Sequence, residues 1–219
     1  MNASLDTDVV IHLYRSGKKD LFSMFDFLFI HEYLTEEELK RKSRITYDEV
    51  MADAAAGLIK IITRQELSRL SIKGLFEQYL AEYKNLFDDG EMHAIALAKA
   101  MGLVALVSDD TKQFGPHDTL VRGIITDVMP FSFYELLFLR YLNSELTTSE
   151  LHGEFDIVVT KFERQMEFSG RIKTTIRRFI GKKAEKRDLE WFKSYCNEKQ
   201  IDYRKKIDEL LGYLRTLEK

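Results

Sequence analysis

Cysteine is nearly missing from this sequence. Cys196 stands alone, so no disulfide can close within the chain, and the composition fits a reducing compartment. Only two prolines occur among 219 residues, and no glycine- or serine-rich tract separates the apolar segments, which excludes a long disordered linker. No basic segment followed by an apolar run opens the chain, so no secretory leader is expected. The most apolar windows, Leu21–Ile30 and Phe131–Leu142, are too short for a bilayer and are broken by Asp26, Glu135 and Arg140. The expectation is a soluble, cytoplasmic protein without a membrane partner. Several chemistries lack their residues as well. There is no phosphate-cradling glycine-rich loop ending in Lys-Ser or Lys-Thr. His12, His31, His93, His117 and His152 show no paired metal-ligand spacing, and each reads as structural. No serine or cysteine sits in a recognisable nucleophile setting.

Hydrophobic residues make up 45% and aromatics 12%, enough to build the core of one large domain, or of one ordinary domain with an appendage. The net charge of −3 conceals an asymmetry: residues 1–150 carry 16 Lys and Arg against 24 Asp and Glu, whereas residues 151–219 carry 17 against 12. An acidic body with a basic end suits a cation site beside a surface for a polyanion.

Apolar segments at Ala3–Leu5, Phe27–Tyr33, Leu58–Thr63, Leu103–Val107 and Ile124–Val128 read as strands. Helical patterns fall between and after them, at Asp8–Arg15, Leu21–Phe25, Tyr47–Ala56, Ser71–Phe87, Glu91–Met101 and Phe131–Asn143. Thr35 to Glu38 spells a capping box, which predicts another helix starting at Thr35. This alternation predicts an α/β domain over residues 1–143, with a mainly parallel central sheet flanked by helices. Residues 144–219 read as an α-helical C-terminal extension of two to four helices. In the last of them Ile207, Leu210, Leu211, Leu214 and Leu217 recur at helical spacing, a packing stripe within the chain or between two copies.

In a parallel sheet, ligands bind beyond the carboxyl ends of the strands. Asp6 closes the first strand and Asp8 opens the following helix. Glu36, Glu37 and Glu38 occupy the first turn after the second strand. Asp109 and Asp110 follow Leu103–Val107 directly. Glu91 lies on the apolar stripe of Ala94, Ile95, Ala98 and Met101, where an exposed charge is not expected. Separated segments thus deliver carboxylates to one edge. Each acid has an ordinary explanation of its own, since acids favour helix N-termini. Together they repel one another unless a cation offsets them, and Mg2+ or Mn2+ takes carboxylate oxygens readily.

The run Leu5-Asp6-Thr7-Asp8-Val9-Val10-Ile11, the turn Thr35-Glu36-Glu37-Glu38-Leu39, the helix Gly90-Glu91-Met92-His93-Ala94-Ile95-Ala96-Leu97-Ala98 and the end Val107-Ser108-Asp109-Asp110 resemble the PIN-domain nucleases. That family includes the ribonuclease toxins of bacterial toxin–antitoxin pairs. The resemblance covers residues 1–140. It implies a PIN-like fold and hydrolysis of RNA phosphodiesters, with one or two Mg2+ or Mn2+ activating water and offsetting charge on the leaving oxygen. It implies Asp6 as the first metal ligand, Glu37 or Glu38 as the second, Glu91 as the third and Asp110 or Asp109 as the fourth. Asp6, Glu37, Glu91 and Asp110 form the implied catalytic set, accompanied by Asp8 and Ser108. RNA is the implied substrate, and an antitoxin-like protein a partner in the toxin-like case. Two other readings stand beside it. One is an inactive module that keeps the scaffold for RNA or protein binding. The other is a phosphatase of the haloacid-dehalogenase type, which Asp6-Thr7-Asp8 also resembles but whose later residues find no match here.

The C-terminal extension carries Arg171, Lys173, Arg177, Arg178, Lys182, Lys183, Lys186 and Arg187 against a single acid, Glu185. The first six are candidates for contacts to an RNA backbone, with Ile172, Ile176, Phe179 and Ile180 seating the segment. A solvated helix face is the ordinary alternative. Trp191 and Phe192 read as core.

Overall fold

A computed structural model describes residues 1–109, 125–161 and 166–218. The described residues divide into two compact units, 1–133 and 134–219.

The first unit is built on a five-stranded parallel sheet in the order β3-β2-β1-β4-β5. The strands are β1 (Asn2–Leu5), β2 (Phe27–His31), β3 (Lys60–Ile62), β4 (Ala105–Val107) and β5 (Met129–Phe131). Its helices are α1 (Thr7–Arg15), a π-helical turn Leu34–Leu39 running into α2 (Lys40–Lys42), α3 (Arg44–Ala55), α4 (Arg64–Arg69), α5 (Lys73–Tyr83) and α6 (Asp89–Ala100), with a 3₁₀ turn at Lys19–Met24. In β1, Ala3 and Leu5 are fully buried, as are Ala105 and Val107 of β4. A parallel strand covered on both faces has to be uniformly apolar. Ser4 meets that condition by donating to Ala94 O at 2.9 Å, which ties the central strand to α6. Small residues at Ala94, Ala96 and Ala98, all fully buried, let α6 bury most of its circumference.

The α/β class and the parallel sheet agree with the sequence pattern, while three local expectations do not. Of the strand expected at Ile124–Val128, Ile124 lies outside the described residues, and the strand forms at Met129–Phe131 instead. Ile125 and Val128 are buried, so the apolar run was real, but Met129 N–H donates to Val104 O at 2.8 Å and Ser108 N–H to Phe131 O at 2.9 Å. Pro130 is tolerated because β5 ends the strand order, and an edge strand can lose a ladder donor. The single helix expected over Ser71–Phe87 is preceded by a separate helix, α4, capped by Thr63 and Glu66. Thr35 caps nothing: Tyr33 is already helical, and Thr35 Oγ1 donates back to Glu32 O at 2.9 Å. The ring of His31 takes the capping role, its Nδ1 accepting from Tyr33 N–H at 3.2 Å.

The second unit is helical. It contains α8 (Thr148–Val159), α9 (Phe168–Ile180), α10 (Lys186–Glu198) and α11 (Tyr203–Leu217), and all but the first residue of α7 (Phe133–Leu142). The sequence placed α7 with the first domain, but the units divide between Phe133 and Tyr134. Phe138 of α7 stacks on Phe179 and Phe192. Phe192 is core as expected, and Trp191 is half-buried. Ile207, Leu210 and Leu214 are buried within this unit, whereas Leu217 is exposed. No helix among the described residues is long and apolar enough to cross a membrane.

Candidate active site

Strand order sets the place where a site can form. β1 has β2 on one side and β4 on the other, so the chain reverses its direction of winding between β1 and β4. In parallel α/β sheets the crevice beyond the carboxyl ends of such a strand pair receives ligands. Leu5 and Val107 are register partners across that pair. The next residues are Asp6 and Ser108.

Asp6 is 4% exposed. It caps α1, with Oδ1 accepting from Thr7 N–H at 2.7 Å. Oδ2 accepts from Ser108 Oγ at 2.8 Å. The side chain is therefore fixed from both strands of the switch point. Burial, followed by the charges of Asp8 and Glu91, holds its carboxyl well above the usual carboxylate range; the Ser108 bond opposes this and Asp88 adds to it.

Glu91 is 5% exposed and enters from the first turn of α6. It completes a reciprocal cap: its N–H donates to Asp88 Oδ1 at 3.0 Å and its carboxylate accepts from Asp88 N–H at 3.2 Å. The ordinary helix-start explanation for Glu91 is thus correct locally, and it coexists with the charge that Glu91 presents to Asp6. Of the triplet after β2, Glu38 is buried while Glu36 and Glu37 are exposed. A methyl group on Gly90 would lie 2.7 Å from both carboxylate oxygens of Glu38, so glycine at the start of α6 is what admits Glu38. The π-helical turn carries Glu38, and such turns recur at functional sites because they shift side chains out of helical register. Lys42 then links two arms of the acidic centre, with Nζ at 3.0 Å from Asp8 Oδ1 and 3.1 Å from Glu38 Oε2. Burial opposes its charge, but Asp8 and Glu38 outweigh this and hold the ammonium above its ordinary range.

Asp109 is buried beside these residues but committed elsewhere. Its Oδ1 accepts from Phe133 N–H at 2.7 Å, and its Oδ2 lies 3.6 Å from His12 Nδ1. Burial raises its carboxyl, opposed by His12 and the Phe133 N–H. Asp110 lies outside the described residues. The structure therefore sets Asp8, Glu91 and Ser108 around Asp6, places Glu38 against Gly90 and, through Lys42, beside Asp8, and leaves Glu37 on the surface. Asp88 and Lys42 were not singled out from the sequence. The spacing Asp88-x-x-Glu91 is a helix-start signal that could have found the former. Lys42 has no local signal, because its role depends on two other segments.

Compared with protein-family models, curated proteins and solved structures, this chain matches none.

Carboxylate oxygens are the donor chemistry that Mg2+ or Mn2+ takes, and by residue type alone Asp6, Glu38 and Glu91 suit such an ion. Among the described residues no group of three or more His, Cys, Asp or Glu is placed so that it could hold a metal ion.

The basic segment divides. Arg177, Lys182 and Lys183 are exposed. Lys173 pairs with Glu218, and the Arg171 guanidinium lies 5.6 Å from the Tyr134 ring centre. Arg178 corrects the sequence reading: it is 7% exposed, with Nη1 at 2.7 Å from Glu135 and Nε at 2.6 Å from Asp188. A guanidinium satisfied by two buried carboxylates is part of the core and offers nothing to a phosphate.

Proposed function

We propose that this chain is a metal-dependent ribonuclease of PIN-like architecture. The observation that carries the reading is Asp6. It is buried at the switch point, oriented by Ser108 and surrounded by the like charges of Asp8, Glu91 and Asp88. A buried carboxyl perturbed by like charges at such a sheet edge is a functional-site candidate. Asp6, Glu38 and Glu91 would hold the ion, which when bound supplies a more acidic water and offsets negative charge on phosphoryl oxygens. Ser108 keeps Asp6 in one rotamer. Thr7 N–H fixes its other oxygen, so the carboxylate presents the same face to each substrate. Lys42 screens Asp8 from Glu38, which lowers the cost of gathering acids before the ion arrives. The exposed Arg177, Lys182 and Lys183 are available to an RNA backbone.

Cleavage of labelled RNA with Mg2+ or Mn2+, compared with EDTA, tests this. Cleavage abolished by EDTA, by Asp6→Asn and by Glu91→Gln is the expected result. RNA binding without cleavage would overturn it and support the second reading, an inactive RNA-binding module. One observation favours that reading: Lys42 already supplies a cation to Asp8 and Glu38.

A further inference from the structure

Beside the acidic centre, on the β2–β3 side of the same sheet edge, the first unit holds a pocket of about 360 Å³ lined by the rings of His31, Tyr33, Phe76 and His93, by Arg64 and Lys73, which both pair with Glu77, and by three further glutamates. Its wall is a run of aromatic rings. Tyr33 lies flat on His93, with centroids 3.9 Å apart and planes 5° apart. His93 is 5.2 Å from His31, which stacks on Phe76 at 4.6 Å. His31 ends β2, and Arg64 follows β3 at its carboxyl end. The wall also touches the acidic centre. Tyr33 Oη donates to Asp89 at 3.4 Å, His93 follows Glu91 by two residues on α6, and both rings feel the charge of Glu38.

The two imidazoles are fixed in opposite tautomers. His31 Nδ1 accepts from Tyr33 N–H, so its proton is on Nε2. That Nε2 is buried and has no hydrogen-bond partner among the described residues. His93 Nδ1 lies 2.6 Å from Asp89 O, a carbonyl that only accepts, so its proton is on Nδ1 and its Nε2 is an acceptor. Burial, then His93 and Arg64, push His31 down to about 3, so the ring stays neutral at physiological pH. A hydrophobic core has no use for an uncommitted buried N–H, which costs free energy until something accepts it. Flat rings, one ring N–H donor and one ring-nitrogen acceptor match a heterocyclic base.

We propose that this pocket seats one nucleobase of an RNA strand whose backbone crosses the acidic centre. The choice of RNA rests on the nuclease reading above; the pocket's preference for a base rests on its rings. The bound base would set which phosphodiester reaches Asp6.

Proton–carbon NMR spectra of the histidine rings test this on the full chain in EDTA, titrated with AMP, GMP, CMP or UMP and, separately, with ribose 5-phosphate. Saturable shifts of the His31 and His93 signals are expected with at least one nucleotide and not with ribose 5-phosphate. Tyr33→Ala should weaken that nucleotide about tenfold or more, since a stacked base loses its platform, while Tyr33→Phe should keep most of the affinity. No ring shift with any nucleotide, equal shifts with ribose 5-phosphate, or full affinity in Tyr33→Ala would overturn the proposal. EDTA separates the two claims. Nucleotide binding in a protein that cleaves no RNA leaves the pocket and refutes the nuclease. Cleavage without nucleotide binding does the reverse.

Discussion

Arg178 offers the sharpest stability test, because sequence and structure assign it opposite roles. As a phosphate contact it would be dispensable for folding. In the structure its side chain is 3% exposed and bridges Glu135 and Asp188, whose side chains are 1% and 2% exposed. Arg187 adds a second guanidinium, 2.8 Å from Asp188, so two cations balance two anions. Arg178→Met keeps much of the volume but takes the guanidinium from both carboxylates at once. Breaking a buried pair from one side costs about 3–5 kcal/mol, because a charge is left without compensation. A unit of about 90 residues has of order 4–14 kcal/mol to lose, so the second unit should be severely destabilised. Urea unfolding followed by circular dichroism measures this. The two carboxylates left behind can recover by taking up protons, so the deficit should shrink as pH falls. Replacing Arg178, Glu135 and Asp188 together by apolar residues should cost far less than Arg178→Met alone, because the remaining charge, Arg187, has 21% of its side chain exposed and can turn to solvent. A loss below about 1 kcal/mol in Arg178→Met, the level of an exposed pair, would refute the buried network and return Arg178 to the surface.

Three further outcomes follow from the acidic centre and the basic face. The carboxyl of Asp6 is raised in the folded state, chiefly by burial and then by Asp8 and Glu91, so it favours folding at low pH and loses that contribution as pH rises through its native range. Asp6→Asn should therefore be more stable than the parent at neutral pH, with an advantage that vanishes on acidification; calorimetry over a pH series checks this, and a less stable variant at neutral pH would contradict it. Gly90→Ala would put a methyl carbon 2.7 Å from both Glu38 oxygens; because a side-chain end can swing away, stability should change by less than about 1 kcal/mol, while RNA cleavage falls about tenfold or more as Glu38 leaves the centre. Replacing Arg177, Lys182 and Lys183 by Glu should weaken RNA binding and flatten its salt dependence by about two units of log–log slope, with unchanged cleavage chemistry at saturating RNA; an unaltered slope would remove this face from binding.

Much of the first unit was legible because parallel strands advertise themselves. Ala3–Leu5 and Leu103–Val107 are uniformly apolar, and the acids placed directly after them are where the strand order puts the crevice. Side-chain direction was less legible. Glu36, Glu37 and Glu38 are equivalent as letters, and the π-helical turn that buries Glu38 and exposes Glu37 has no sequence signature. The choice between them depends on Gly90, fifty-two residues further along the chain. Met129–Phe131 was missed because Pro130 argues against a strand unless the strand is known to lie at an edge. Arg178 was misread for the same kind of reason. A basic residue between Arg177 and Phe179 reads as surface until Glu135 and Asp188, distant in the chain, are seen to surround it. Thr63-x-x-Glu66 and Asp88-x-x-Glu91 carried the capping signal wrongly assigned to Thr35, and both were readable.

On the proposed function, carboxylates from separate segments share a divalent cation at the β1–β4 crevice. Electron paramagnetic resonance of free Mn2+, titrated with the full chain, measures this without any need for an RNA target. Mn2+ should disappear from solution with the parent protein and remain free with Asp6→Asn and with Glu91→Gln, while Glu37→Gln binds like the parent. No binding by the parent, or equal binding by Asp6→Asn, would contradict the claim.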